Sequence, residues 1–213
     1  MNRNYYQISL LFFVLLAFHA LILALNERYV LDLAFYHKSA TWFSAFPDQE
    51  LQAYQAIRRW VYPVLVVYVL TKVFLVALIL KTALYITERN VPFHRILFGV
   101  VLCDAIFICQ SAIKLAWFRY AYPSGDLADW TRLSVGSLLS LAGDVPVQSY
   151  FALQTINLFE VIYWFALARV VSRQARLPFD HALSVVSVSY LPALALWVCL
   201  VTLFSLTAHP GFA

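Results

Sequence analysis

Four ionisable side chains stand inside otherwise apolar stretches of this sequence: Lys72, Asp104, Lys114 and Glu160. In hydrocarbon each would cost roughly 2.5–3.5 kcal/mol if left alone, so each must face protein, water or another charge. Two are cations and two are anions, so they can neutralise one another. Two kinds of chemistry follow. Pairing would fasten together the segments that carry the charges. A proton or ion relay, or a ligand site, would use the same groups as donors and acceptors. Residue type leaves both open, but depth along the segments suggests partners. Lys72 lies about 14 residues from the end of its stretch, and Asp104 about 8 from the start of the next. At about 1.5 Å per residue the two levels differ by roughly 9 Å, within reach of a lysine. Lys114 and Glu160 both lie towards the other end of their stretches. The expected pairs are Lys72–Asp104 and Lys114–Glu160, with snorkelling of Lys114 to the interface as the alternative to pairing.

Other chemistry is thinly represented. His19 stands alone in an apolar run and reads as a hydrogen-bonded packing residue. His37, His94, His181 and His209 are scattered, and no HExxH or paired-histidine spacing exists. No metal site is expected. Cys103, Cys109 and Cys199 have no ligand spacing and read as inert buried thiols. The sequence has no GxSxG, Walker or GxGxxG motif, and only 5 glycines from which to build a phosphate cradle. Ser184, Ser187 and Ser189 have no base in view. The expectation is a non-enzymatic protein without a cofactor.

The elements that must position these residues follow from composition. Of 213 residues 63% are hydrophobic and only 12% are charged, with a mean hydropathy of +0.76. A soluble domain carries about 25% charge. This excludes a disordered chain, a disulfide mini-protein and an ordinary soluble enzyme. The net charge of +4 comes without any basic run longer than Arg58-Arg59, so it sets topology and is no nucleic-acid footprint. A membrane span needs about 20 apolar residues. Five such stretches occur, at about 8–25, 61–86, 96–118, 150–171 and 183–206. The predicted fold is all-α, a single polytopic bundle of five transmembrane helices. The first stretch lacks a small-residue cleavage site and is expected to remain as a helix. Two long loops should carry short interfacial helices. One begins at Pro47 and runs to Trp60. The other covers 133–142, where Ser134, Ser137 and Ser140 alternate with Val135, Leu138 and Leu139 at helical spacing.

Charge sets the expected orientation. The N-terminus and the loops after the second and fourth spans hold Arg3, Lys81, Arg89, Arg95, Arg169, Arg173 and Arg176 close to span ends. The opposite side holds six cations in much longer loops, and short loops dominate the positive-inside bias. The N-terminus is expected in the cytoplasm and the C-terminus outside. Trp60, Trp117, Tyr120 and Tyr150 then form an outer aromatic belt.

The last third of the chain carries a family pattern. LSVGSLLSL at 133–141 precedes YFALQTINLFEVIYWFALARVV at 150–171, the basic turn SRQARLPFD follows, and HALSVVSVSYLPALALW ends at 197. With Asn157-Leu158-Phe159, Trp164 and Ser189-Tyr190, this stretch resembles the C-terminal half of the Yip-type, Ypt-interacting membrane proteins. The resemblance implies five helices, a cytosolic N-terminus and a bacterial-type member without the long N-terminal region. It implies no catalytic residue. The functional expectation is a multi-pass protein of the bacterial inner membrane that binds other integral membrane proteins or organises the bilayer. The alternative is a subunit of a transporter or of an ion- or proton-conducting complex that uses the intramembrane charges.

Overall fold

The computed structural model describes residues 3–30, 35, 47–142, 145–146 and 149–208. Its regular structure is helical: α1 (Arg3–Tyr29), α2 (Pro47–Ile86), α3 (Phe93–Ala121), α4 (Leu127–Arg132), α5 (Tyr150–Thr155), α6 (Leu158–Ala175) and α7 (Phe179–Ala208), with a 3₁₀ turn at Leu138–Ser140. Four helices are long and apolar enough to cross a membrane, over Tyr6–Tyr29, Arg58–Ile86, Phe93–Ala121 and Phe179–Phe204. Their outward faces are apolar, with Phe13, Val67, Leu102 and Phe204 among many large exposed side chains. Such faces suit a lipid solvent. The helix begun at Pro47 runs without interruption into the second span, and Pro63 is accommodated inside it.

Contacts between helices fix their directions. Glu27 of α1 accepts from Arg58 and Tyr62 of α2, at 3.2 and 3.1 Å. Lys81 near the other end of α2 donates to the carbonyl of Val91 at 2.8 Å. α2 is therefore antiparallel to both α1 and α3. Phe107 of α3 meets Tyr163 of α6, and Gln174 donates back to the Arg95 carbonyl at 2.8 Å, so α6 runs antiparallel to α3. α7 returns along α6, with Ser172 donating to the Leu177 carbonyl across the turn and Tyr190 packed on Tyr163. Arg176 makes that turn in the left-handed conformation, φ 53°. Gly99 lets α3 and α6 approach closely, because a Cβ there would stand 2.2 Å from Val170 Cγ1. Small residues serve this purpose in membrane bundles.

The half of the bundle around Lys81, Arg95 and Gln174 is solidly packed. Leu80, Leu84, Ile96, Val100, Leu167, Val171, Ala182 and Val186 are all buried there, within one contiguous apolar cluster. The other half, around Glu27 and Trp130, is built differently, and two sequence expectations fail in it. The stretch 150–171 is not one helix. It breaks between α5 and α6, because Asn157 is extended (φ −141°, ψ 164°) and caps α6 by accepting from the Glu160 N–H at 2.8 Å. The stretch 133–142 is not a surface helix either. Gly136 turns the chain at φ 72°, Ser137 Oγ and Ser140 Oγ donate to the carbonyls of Ser134 and Ser137, and only Leu138–Ser140 coil, as a 3₁₀ turn. Val135 lies in the turn, Leu138 is exposed and Leu139 is buried, so the three do not form an interfacial face. Serine hydroxyls that bond nearby carbonyls compete with the helix ladder, and glycine accepts the left-handed turn.

These two irregular segments hold each other. Leu158 N–H donates to the Gly136 carbonyl at 2.9 Å, and Leu138 N–H to the Ile156 carbonyl at 3.0 Å. Ser137 and Asn157 thereby form an isolated antiparallel bridge, and both are buried. A break that leaves backbone groups open is tolerated at membrane depth only where protein satisfies them or a cavity is lined. Here the Gly136 carbonyl and the Leu138 N–H supply the protein partners.

Candidate functional site

The break at Asn157 opens onto a cavity of about 640 Å³ in the less densely packed half of the bundle. α2, α3, α5 and α7 form its walls, with Ser134, Val135 and the start of α6 closing one side. Lys72, Asp104, Lys114 and Glu160, the four charges of the apolar stretches, all line it, together with His19.

At its floor Asp104 is almost completely buried, and Lys72 Nζ lies 2.8 Å from its Oδ1. The contact is ionic more than a well-aligned hydrogen bond. His19 Nε2 stands 3.3 Å from the other carboxylate oxygen, so Asp104 joins α1, α2 and α3. Lys72 also lies over the Phe107 ring, 3.4 Å from its centroid, and 5.5 Å from the centroid of Tyr163. Desolvated cation–π contacts of this kind contribute up to about 2 kcal/mol. The aromatic faces and the carboxylate together hold an ammonium that lipid alone would not accept.

Glu160 sits in the first turn of α6. Its backbone N–H is capped by Asn157, and its carboxylate accepts a short hydrogen bond from the Tyr190 hydroxyl of α7. The Asn157 amide donates to the carbonyls of Gln154 and Thr155 at 2.9 and 3.1 Å, which fixes the broken end. Negative charge is favoured at a helix N-terminus, so the break and the carboxylate support each other.

Lys114 does not pair with Glu160, as the sequence reading expected. Its Nζ lies 4.5 Å from the centroid of Trp130, and no carboxylate pairs with it among the described residues. α4 delivers that tryptophan: Asp126 and Asp129 form a reciprocal capping box at its start, and Trp130 packs edge-on against Phe118. Glu160 is satisfied by Tyr190, whose hydroxyl projects from α7 at the level of the α6 N-terminus. Depth arguments identify which charges share a level. They do not detect a tyrosine or a tryptophan as the competing partner, because both count as apolar.

Asp104, Phe107, Ser111 and Lys114 recur at three- and four-residue spacing and share the cavity-facing side of α3, with Gln110 beside them. The floor and Lys114 are ten residues apart on α3, about 15 Å along the axis. The cysteines contribute nothing to the cavity wall. Cys103 is buried, but Cys109 and Cys199 are exposed on the outside of their helices, contrary to the expectation of three buried thiols. No cluster of three or more His, Cys, Asp or Glu side chains is arranged to hold a metal among the described residues.

No family model, curated protein or solved structure matches the chain. The resemblance to Yip-type proteins therefore rests on the quoted residues alone. The chain is an all-helical protein with four membrane-capable helices and a charged cavity inside its bundle.

Proposed function

We propose that this chain is a five-pass protein of the bacterial inner membrane that takes a ligand from the outer face into the cavity, as a carrier or as the ligand-binding subunit of a transport complex. α5 and α6 together make the fourth pass, with the N-terminus in the cytoplasm and the C-terminus outside. The observation that carries this reading is the helix break at Asn157, beside a cavity floored by Lys72, Asp104, His19 and Glu160. Discontinuous helices at buried polar sites are how secondary transporters place helix termini and charges around a substrate. The buried apolar side chains towards the Lys81 end, Leu80, Leu84, Val100 and Leu167, suit a binding vestibule better than an open pore; a second, apolar groove of about 580 Å³ lies between α2 and α7 at that end. The reading is non-enzymatic, since each floor carboxylate already holds partners.

The other reading, a Yip-like protein that binds membrane partners or organises the bilayer, draws on the exposed apolar face of α1, where Leu10, Phe13 and Leu21 project. It has lost the support of a surface helix over 133–142.

Thiol accessibility tests the proposal. In a variant with Cys103, Cys109 and Cys199 changed to alanine, Ser111→Cys and Thr155→Cys should react with a membrane-impermeant methanethiosulfonate added from outside. Val100→Cys and Leu167→Cys, in the packed half, should not. Equal inertness at all four positions in folded protein would end the vestibule reading. Tags at the two termini that report the same compartment would end the five-pass reading.

A further inference from the structure

Lys114 is an intramembrane cation that lines the cavity and has no carboxylate partner among the described residues. One turn earlier, Gln110 lines the same cavity, and its amide makes no hydrogen bond among the described residues. Residues four apart share a helix face, so an ammonium and an amide present unused donors to one region of space. Trp130 covers one side of the ammonium and fixes where it lies. The floor charges cannot serve as its counter-ions. Asp104 is engaged by Lys72 and His19, and Glu160 by Tyr190.

The remaining walls have a different character. Leu65 on α2, and Leu194, Trp197 and Leu200 on α7, line the cavity with apolar surface. A cation with a neighbouring amide donor, in a cavity that also presents these large apolar side chains, is complementary to a carboxylate or phosphate attached to a hydrocarbon body. We infer that Lys114 and Gln110 receive the anionic group of an amphiphilic ligand whose apolar part lies against Leu65, Leu194, Trp197 and Leu200. This rests on the vestibule reading above and adds the class of ligand to it. The anion supplies a counter-charge that no described carboxylate gives Lys114. Such a ligand could come from water as a fatty-acid-like anion or from the bilayer as an anionic lipid headgroup, and the binding chemistry is the same.

The test uses the full chain purified in a neutral detergent. Calorimetry compares octanoate with 1-octanol, and native mass spectrometry compares retained phosphatidylglycerol with phosphatidylcholine. At least one anion should bind about tenfold or more tightly than its uncharged or zwitterionic counterpart, the scale of a charge-assisted hydrogen bond. Lys114→Gln should abolish that preference, Lys114→Arg should keep it, and Gln110→Leu should weaken it. Lys114→Gln removes a charge with no carboxylate partner among the described residues, so it should not impair folding, and an unchanged elution volume verifies this. A preference for octanoate identifies a soluble source, and a preference for phosphatidylglycerol alone identifies the bilayer. No charge preference in the wild-type chain, or one that survives Lys114→Gln, overturns the inference. If Thr155→Cys is then accessible, the vestibule stands without this ligand class. If Ser111→Cys and Thr155→Cys are both inert, the vestibule reading has failed as well.

Discussion

Removing the charge of Asp104 is the most informative single perturbation of this bundle. Asp104→Asn keeps the shape of the side chain but leaves Lys72 facing a neutral amide. With 2.8 Å between Nζ and Oδ1, the gross attraction at an effective dielectric of about 20 is roughly 6 kcal/mol. Most of that offsets the cost of taking both ions out of water, so the intact pair contributes little net stability. The single variant is different, because desolvation of Lys72 remains while its partner is gone. Breaking a buried pair in this way costs about 3–5 kcal/mol. The low end applies here, because the Lys72 side chain is 22% exposed and retains the ring of Phe107 beneath it. The expected loss is therefore about 3 kcal/mol. The double variant Lys72→Met/Asp104→Leu removes both ions and should recover most of it. Unfolding in mixed micelles, followed by the near-ultraviolet signal, measures each value, and the double-mutant cycle gives the coupling. A loss under about 1 kcal/mol for Asp104→Asn, or a coupling energy near zero, would refute the claim that Asp104 and Lys72 are mutual counter-ions.

Two further predictions concern the surroundings of the floor. The buried hydroxyl of Tyr163 has no hydrogen-bond partner among the described residues, whereas that of Tyr190 holds Glu160. Tyr163→Phe should leave thermal stability unchanged or raise it, while Tyr190→Phe should lower stability by about 1–3 kcal/mol, and melting of both variants in detergent tests the contrast. Gly136→Ala places a Cβ at φ 72° and 3.3 Å from Leu158 Cβ, so it should destabilise the chain by about 1–3 kcal/mol and increase proteolysis between 133 and 142; cleavage no faster than wild type would contradict the turn.

Much of this arrangement could be read from residue type and spacing. Apolar runs of sufficient length give the four membrane-capable helices. The levels of Lys72 and Asp104 along their runs differ by only about 9 Å, within the reach of a lysine, and the structure places Nζ 2.8 Å from Oδ1. Three features stayed hidden for different reasons. His19 is a partner of Asp104 across a separation of 85 residues, which no local pattern encodes. Tyr190 and Trp130 act on Glu160 and Lys114 through a hydroxyl and a π-face, properties that a hydropathy reading discards. The break at Asn157 did leave a trace. Asn157-x-x-Glu160 is a helix-start pattern, and Gly136 in LSVGS is a turn signal. At 150–171 the length of the apolar run overrides the first signal, since a run long enough to span reads as one helix, and at 133–142 the helical spacing of Ser134, Ser137 and Ser140 overrides the second.

That override is itself informative, because the sequence carries helix-start chemistry where continuity would have been easier to build. α6 has 18 residues, about 27 Å at 1.5 Å per residue, against roughly 30 Å of hydrocarbon. Its C-terminal turns carry Arg169 and Arg173, and Gln174 there donates to the Arg95 carbonyl. An unbroken helix through 150–171 would continue its own ladder through Asn157 and need no partners from 133–142. The observed chain instead uses the Gly136 carbonyl and the Leu138 N–H to complete the break, and places Asn157 where it caps the helix that presents Glu160 to Tyr190. Each of these devices lies on the wall of the cavity or directly behind it. The packed half of the same bundle, where Leu80, Val100 and Leu167 meet, contains none of them. Among the described residues the left-handed positions of the packed half, Glu88 and Arg176, lie in turns between helices, whereas the break at Asn157 interrupts an apolar stretch beside the cavity, which is the distribution expected if the break exists to shape a binding site.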